Sequence, residues 1–346
     1  MTIVEAERPV TGGVDTHLDT HVAAALDPVG GVLGVKEFVA CAVGYRDLLG
    51  WLRTFGPVAL VGVEGTGSYG AGLARHLRAA GVAVAEVDRP NRQLRRRQGK
   101  SDPIDAVEAA RAAQSGRAMG AAKHRDGSVE AIRALVVARR SARAARVKAL
   151  NQIRHLSFTA PDQLRERLKG LTTQAVAIEV ASLRPRPGGD PVTFATKVAL
   201  RSLGRRVLAL DEERAALDEL LAELVDKVGD DLLSLYGVGV DSAAALLVAA
   251  GDNPERIRSE AAWAHLCGVA PIEASSGKVT RHRLDRGGDR QANAALWRIV
   301  MVRMRHEPRT RAYVERRTAE GRSKLEIMRV LKRYVAREVY YYLPRH

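Results

Sequence analysis

The chain has 346 residues, enough for two or three domains with real cores. Its 46% apolar and 27% charged residues are ordinary globular composition, which excludes a disordered or fibrous chain, and no apolar run nears the roughly 18 residues needed to span a bilayer. Lys plus Arg number 55 against 40 Asp plus Glu, a net charge of +15 that favours a polyanionic partner, nucleic acid first, over a small neutral ligand.

The opening residues MTIVEAERPV hold two Glu and one Arg where a signal peptide carries its apolar core, so a cytoplasmic location with no membrane partner is expected. Residues 10–40 read as three short strands, VTGGVDTH, HVAAALD and VLGVKEFVA, with DPVGG turning the second into the third, an antiparallel meander. Helical spacing follows at 44–55. After it come an apolar run VALVGVE (58–64), a helix near 69–80, a strand VAVAEVD (82–88) and a helix starting at Asp102. A meander followed by strand, helix, strand, helix is the order of an RNase H-like fold, and 1–122 is read as that α/β domain.

Residues 123–230 read as helical and charged, broken by the loop RPRPGGDP at 184–191. Leu217, Leu221, Leu224 and Val228 have the 4-3-4 spacing of an apolar seam, which suits either a coiled coil between subunits or one helix packed on its own domain. Residues 231–346 read as a second helical unit. It opens with LLSLYGVGVDSAAALLVAAGD, in which Gly237 and Gly239 would leave backbone N–H groups free at a helix N-terminus, a phosphate site of the helix-hairpin-helix kind, or form a plain tight turn.

The basicity is concentrated. RPNRQLRRRQGK at 89–100 carries six positive charges and no acid, among them Arg92, Arg95, Arg96, Arg97 and Lys100. Residues 133–154 carry seven more, including Arg139, Arg140 and Arg143, and from Arg298 onward fourteen Lys or Arg face five Glu. Against these, 211–231 holds nine acids and two basic residues and should avoid phosphate. With aromatic residues at 4%, backbone charge contacts rather than base stacking are expected to dominate, so binding should weaken steeply with salt. The two cysteines, Cys41 and Cys267, are far apart and sit in no metal-ligand spacing, so neither a disulfide framework nor a structural zinc is indicated, while a carboxylate-held metal stays open.

Four acids invite that reading. Asp15 lies at the centre of the first strand, Glu64 closes the fourth before a Gly-rich turn, and Asp102 and Asp105 share the first turn of a helix. Taken singly, the helical pair is explained by capping, with Asp at the N-cap and Pro at N1. Converging on one point, four carboxylates would repel, and a divalent cation resolves that conflict. Oxygen-only ligation favours Mg²⁺ or Mn²⁺, and two ions about 4 Å apart would suit in-line attack at a phosphodiester.

The segments GGVDTH, VGVEGTGSYG and RPNRQLRRRQGKSDPIDAVEAAR, in that order and spacing, resemble the DEDD domain of the transposases of bacterial insertion sequences (insertion-sequence family 110). LYGVGVDSAAALL, WAHLCGVAPIEASSGK and GGDRQANAALWR resemble that family's second domain, with Tyr236 where a proline would be expected before the Gly-x-Gly turn. The resemblance implies a RuvC-like metal domain whose tetrad is Asp15, Glu64, Asp102 and Asp105, and a C-terminal domain whose nucleophile is Ser276, the serine directly before Gly277. It also implies donor and target DNA as substrates, a structured guide RNA from the element's non-coding flank, and a homo-oligomer, dimer or tetramer. On this reading Ser276 attacks a DNA phosphodiester to give a covalent serine-DNA intermediate. Lys278, Arg281, Arg283 and Arg286 either contact the phosphates nearby or form a solvated surface. Two rivals stay open: a hydrolytic nuclease using the acids alone, and a binding protein with no chemistry.

Overall fold

A computed structural model describes residues 8–87, 101–117, 120–279 and 281–344. The chain forms two compact units. One holds residues up to Gly127 together with Ala250–Ser259; the other holds Ser128–Ala249 and Glu260–Pro344.

The first unit is built on a mixed sheet of order β3-β2-β1-β4-β5-β6, with β1 at Val10–Thr16, β2 at Thr20–Leu26, β3 at Val32–Val39, β4 at Val58–Glu64, β5 at Ala83–Val87 and β6 at Gly120–Ala121. The first three strands form the expected antiparallel meander, while β1, β4 and β5 run parallel. This α/β order is consistent with the RNase H-like arrangement read from the sequence. Short β6, antiparallel to β5, has no sequence signal of its own.

Helices α1 (Ala42–Arg53) and α2 (Ala71–Ala79) cover one face. Leu48, Leu52, Leu73 and Leu77 pack there on Val10, Val14, Val61 and Val63, all of them buried. Helix α3 (Asp102–Gln114) covers the other face with a stripe of small residues, Ala106, Ala109, Ala110 and Ala113, at the i, i+3, i+4, i+7 spacing of one helix side. The sheet answers with glycine. A Cβ on Gly13 would lie 2.1 Å from Ala110 N, and one on Gly62 would lie 2.5 Å from Ala109 O, so both positions admit helix backbone where any side chain would exclude it. Val22, Ala24 and Ala106 close this layer. Asn253 ties its own segment to this unit, donating to Ala122 O (3.0 Å) and accepting from His124 N (3.2 Å).

In the second unit, α4 (Ser128–Phe158) lies antiparallel to α7 (Pro191–Leu233), as the pairs Arg146–Asp211 and Arg139–Asp218 require. The short helices α5 (Asp162–Leu168) and α6 (Thr173–Ala181) fill the end of this hairpin around Ile153, Leu164, Val180, Leu200 and Val207. Of the 217–228 seam, Leu221 is buried within the chain, while Leu217, Leu224 and Val228 are half-buried. Part of the acidic stretch has a plain use as well, since Asp211 and Asp218 pair with the arginines of α4.

The loop after α7 leads into α8 (Val240–Ala250), with Gly237 at φ +80°, so a helix-turn-helix corner stands where the glycines placed it. It is held from below. The buried Arg303 donates through Nε to Tyr236 O at 2.8 Å and pairs through Nη1 with Glu338 at 2.6 Å. Helices α9 (Glu260–Leu266), α10 (Arg290–His306), α11 (Pro308–Ala319) and α12 (Lys324–Tyr341) complete the unit around Trp263, Leu296, Ile299 and Val339. The unit is not wholly helical as expected: β7 (Pro271–Glu273) and β8 (His282–Leu284) form an antiparallel hairpin. Three-residue strands fall below what alternation can reveal. No helix among the described residues is long and apolar enough to cross a membrane.

Candidate metal centre and serine hairpin

Asp15 is the penultimate residue of β1, not its centre, which places its carboxyl at the C-terminal end of the parallel strands. Glu64 is the last residue of β4. The register pairs Val14 with Val63, so the two acids are lateral neighbours on adjacent strands, and Thr16 Oγ1 donates to Glu64 O at 2.8 Å. Beyond Glu64 the chain turns sharply through Gly65 at φ +68° toward α2.

The close seat of α3 on Gly13 and Gly62 delivers the other two acids. Capping does not explain them: the N-cap is Ser101, which makes no side-chain cap bond, and Asp102 is the first helical residue with Pro103 behind it. Asp105 is buried and Asp102 half-buried. Both act on Asp15. Burial pushes the Asp15 carboxyl above its usual range, the His17 imidazole opposes this, and the charges of Asp105 and Asp102 push it further up.

The sequence reading missed His17. Its Nε2 lies 3.3 Å from Asp15 Oδ2 and 3.5 Å from Asp102 Oδ2, and one ligand atom from each of the three residues lies within 4.8 Å of the others. The signal was present in the Asp15-Thr16-His17 triplet, because the period of two in an extended chain returns residue i+2 to the side of residue i. The donor set fits a divalent cation: crowded carboxylates at a buried strand end, one with its ionisation suppressed, beside an imidazole whose buried Nε2 lies at ion-pair distance from two of them.

A raised carboxyl keeps its proton in the folded chain after the unfolded chain has released it, so ionising it costs stability as the pH climbs through its titration. Asp15→Asn is therefore expected to raise the melting temperature of the cation-free protein at pH 7 and to change it little below the ordinary carboxyl value of 3.8. The same variant should lose the melting-temperature rise that a divalent cation gives the wild type. Thermal unfolding with and without the cation, at both pH values, checks both outcomes.

The β7-β8 hairpin carries the two serines. Ser276 and Val279 pair through both backbone groups, Ser276 N to Val279 O (3.2 Å) and Val279 N to Ser276 O (3.1 Å), with Gly277 at φ +57° opening the two-residue turn between them. Ser275 is engaged differently. Its Oγ accepts from Arg281 N at 3.1 Å and donates to Arg281 O at 3.4 Å, so it braces the hairpin, while Ser276 is exposed beside the turn glycine. Lys278, Arg281, Arg283 and Arg286 are exposed along the same segment. The hairpin's base is fixed by close backbone approach. A Cβ on Gly288 would lie 2.1 Å from Gly268 N, Asn293 Nδ2 donates to the carbonyls of Cys267 and Gly268, and Asp289 caps α10 by accepting from Gln291 N and Ala292 N.

The remaining sequence-read positions divide. Arg139 is bound to Asp218 and Asp241 within the chain, whereas Arg140 and Arg143 are exposed, as are Lys148 and Arg154 further along that stretch. Gly237 and Gly239 stand at the α7–α8 corner, and Gly239 has open space around it. Arg92, Arg95, Arg96, Arg97 and Lys100 lie outside the described residues.

Residues 12–159 match a family model of the DEDD transposase domain of IS110 elements, and residues 229–315 match the transposase model of the IS116/IS110/IS902 family. The chain belongs to this family. It is 32% identical over 146 residues, 41% of its length, to an uncharacterised 43.6 kDa protein of insertion element IS110 from Streptomyces coelicolor. A 42 kDa protein of insertion element IS900 from Mycobacterium paratuberculosis is 28% identical over 165 residues, 47% of this chain. These matches span 36% and 41% of the two relatives, less than half of either.

Proposed function

We propose that this chain is a cytoplasmic, nucleoid-associated DNA transposase that cuts and exchanges strands of donor and target DNA with a divalent cation, Mg²⁺ or Mn²⁺, and Ser276 as nucleophile. The observation that carries the reading is the gathering of Asp15, Asp102 and Asp105 around one strand end, with Glu64 beside Asp15, in a family of transposases. The four acids would hold the cation, which when bound neutralises charge that builds on the phosphate.

The protein's own groups do the rest. Exposed Ser276 presents its Oγ beside a glycine that lets a DNA backbone approach. The Oγ–P bond forms as the bond from phosphorus to a deoxyribose oxygen breaks; the serine proton leaves to a base and the freed oxygen gains one, so the phosphodiester energy is kept for rejoining. Lys278, Arg281 and Arg283 on the same hairpin, with Arg140 and Arg143 on α4, are suited to hold phosphates in register. Arg92, Arg95, Arg96, Arg97 and Lys100 add charge for a second polyanion, which in this reading is a guide RNA from the element's flank. The working form is a homo-oligomer.

The test is made in cells carrying the gene with its native flanking DNA, by sequencing across excised circular junctions. Wild type should form junctions; Asp15→Ala and Glu64→Ala should each lower them by at least about 100-fold, the scale of losing a positioned charge-stabilising group. Junctions that survive both substitutions would remove the acids from the chemistry.

A further inference from the structure

We infer that His17 is itself a ligand of the divalent cation, which gives this carboxylate centre one nitrogen donor and a preference for Mn²⁺ over Mg²⁺. The inference rests on the reading of Asp15 and Asp102 as cation ligands and adds a residue and a selectivity to it.

Placement comes first. His17 follows the last residue of β1, and its N–H still reaches Thr20 O at 3.0 Å, so the extended run passes through it and keeps its ring on the side of Asp15. Spacing comes second. Donor atoms about 2.1–2.2 Å from a shared ion, in neighbouring octahedral positions, stand about 3 Å apart. The observed separations of 3.3 Å to Asp15 Oδ2 and 3.5 Å to Asp102 Oδ2 need only small movements to admit an ion among the three atoms.

The third observation is the state of the nitrogen. The His17 side chain is 39% exposed, yet its Nε2 is buried between the carboxylates of Asp15 and Asp102. A buried ring nitrogen that faces two carboxylate oxygens is already turned toward the point where an ion would sit, and coordination would use all three atoms. The neighbouring His21 also has a buried Nε2 with no hydrogen-bond partner among the described residues, but it is stacked on Tyr45 with ring centroids 5.6 Å apart and lies outside the donor cluster; the two carboxylates at its Nε2 set His17 apart.

Selectivity follows from donor chemistry. Carboxylate and water oxygens suit Mg²⁺, whereas imidazole suits first-row transition ions, so exchanging one oxygen for a ring nitrogen penalises Mg²⁺ more than Mn²⁺. His17→Ala is expected to weaken Mn²⁺ binding about 10-fold and Mg²⁺ binding less than about 3-fold.

The experiment uses the full chain without nucleic acid. Mn²⁺ is titrated into wild type, His17→Ala and Asp15→Ala, Mg²⁺ is measured by competition, and the bound Mn²⁺ is read by pulsed electron paramagnetic resonance for coupling to an imidazole nitrogen. Expected are a nitrogen coupling in wild type, its loss in His17→Ala, and loss of the ion in Asp15→Ala. Mn²⁺ held by wild type in an Asp15-dependent way but without nitrogen coupling would overturn the inference and leave the carboxylate reading standing. Mn²⁺ binding unchanged by Asp15→Ala would bring down the carboxylate reading, and the inference with it. The wild-type spectrum decides the matter even if His17→Ala fails to fold.

Discussion

Ser276→Ala is expected to reduce strand exchange by about 10³-fold or more while leaving the fold and cation binding intact, because it removes the atom that would form the covalent bond and little else. The hairpin grounds that separation. Ser276 contributes to the turn through its backbone N and O, which alanine keeps, and Gly277 supplies the left-handed residue the turn needs. Ser275→Ala makes the matched comparison: it deletes the Oγ that bridges both backbone groups of Arg281, so it should loosen the hairpin and reduce exchange far less than the neighbouring substitution does.

Two readouts check this. Sequencing across excised junctions reports exchange in cells, and a denaturing gel of purified protein with labelled DNA reports the covalent serine-DNA adduct. Junctions at wild-type level from Ser276→Ala would reduce that serine to a turn residue. Cation-dependent cutting that persists in Ser276→Ala without exchange would point instead to a hydrolytic nuclease, and binding with no cutting under any cation to a protein that only holds nucleic acid.

Much of the first unit was legible in the sequence because its strands obey simple rules. Apolar runs of seven or eight residues bounded by glycine, proline and aspartate placed β1 to β5 within a residue or two, and the meander followed from the short turns. The acids could be picked out because a carboxylate in an apolar strand needs an explanation. What the sequence could not say was why they meet. That depends on Gly13 and Gly62 facing the alanine stripe of α3, a tertiary match invisible to the periodicity of either segment. His17 escaped for a related reason: histidine just past a strand is common, and the triplet spacing that aligns it with Asp15 gains meaning once Asp102 approaches from another element. The β7-β8 hairpin was missed because three-residue strands carry no period, and the hydroxyl that braces it could be told from its neighbour only by the bonds Ser275 makes to Arg281.

Gly13→Ala is expected to destabilise the protein by about 3 kcal/mol or more and to abolish cation binding, although it adds a single methyl and alters no charge. The added Cβ would stand 2.1 Å from Ala110 N, 2.3 Å from Ala106 O and 2.6 Å from Ala110 Cα. All three are backbone atoms inside a helix, so no rotamer can yield, and the whole of α3 must retreat from β1. The first turn of α3 retreats with it, carrying Asp102 and Asp105 away from Asp15. Gly50→Ala is the control. It lies exposed in the middle of α1 with nothing within 4 Å of the new methyl, and should stabilise the chain by about 0.5–1 kcal/mol because alanine loses less backbone freedom in a helix. In thermal unfolding the first substitution should lower the melting temperature by roughly 10 °C and the second raise it by about 2–4 °C. A Gly13→Ala protein that melts with the wild type and still binds Mn²⁺ would mean that the seat of α3 on β1 does not set the acids in place.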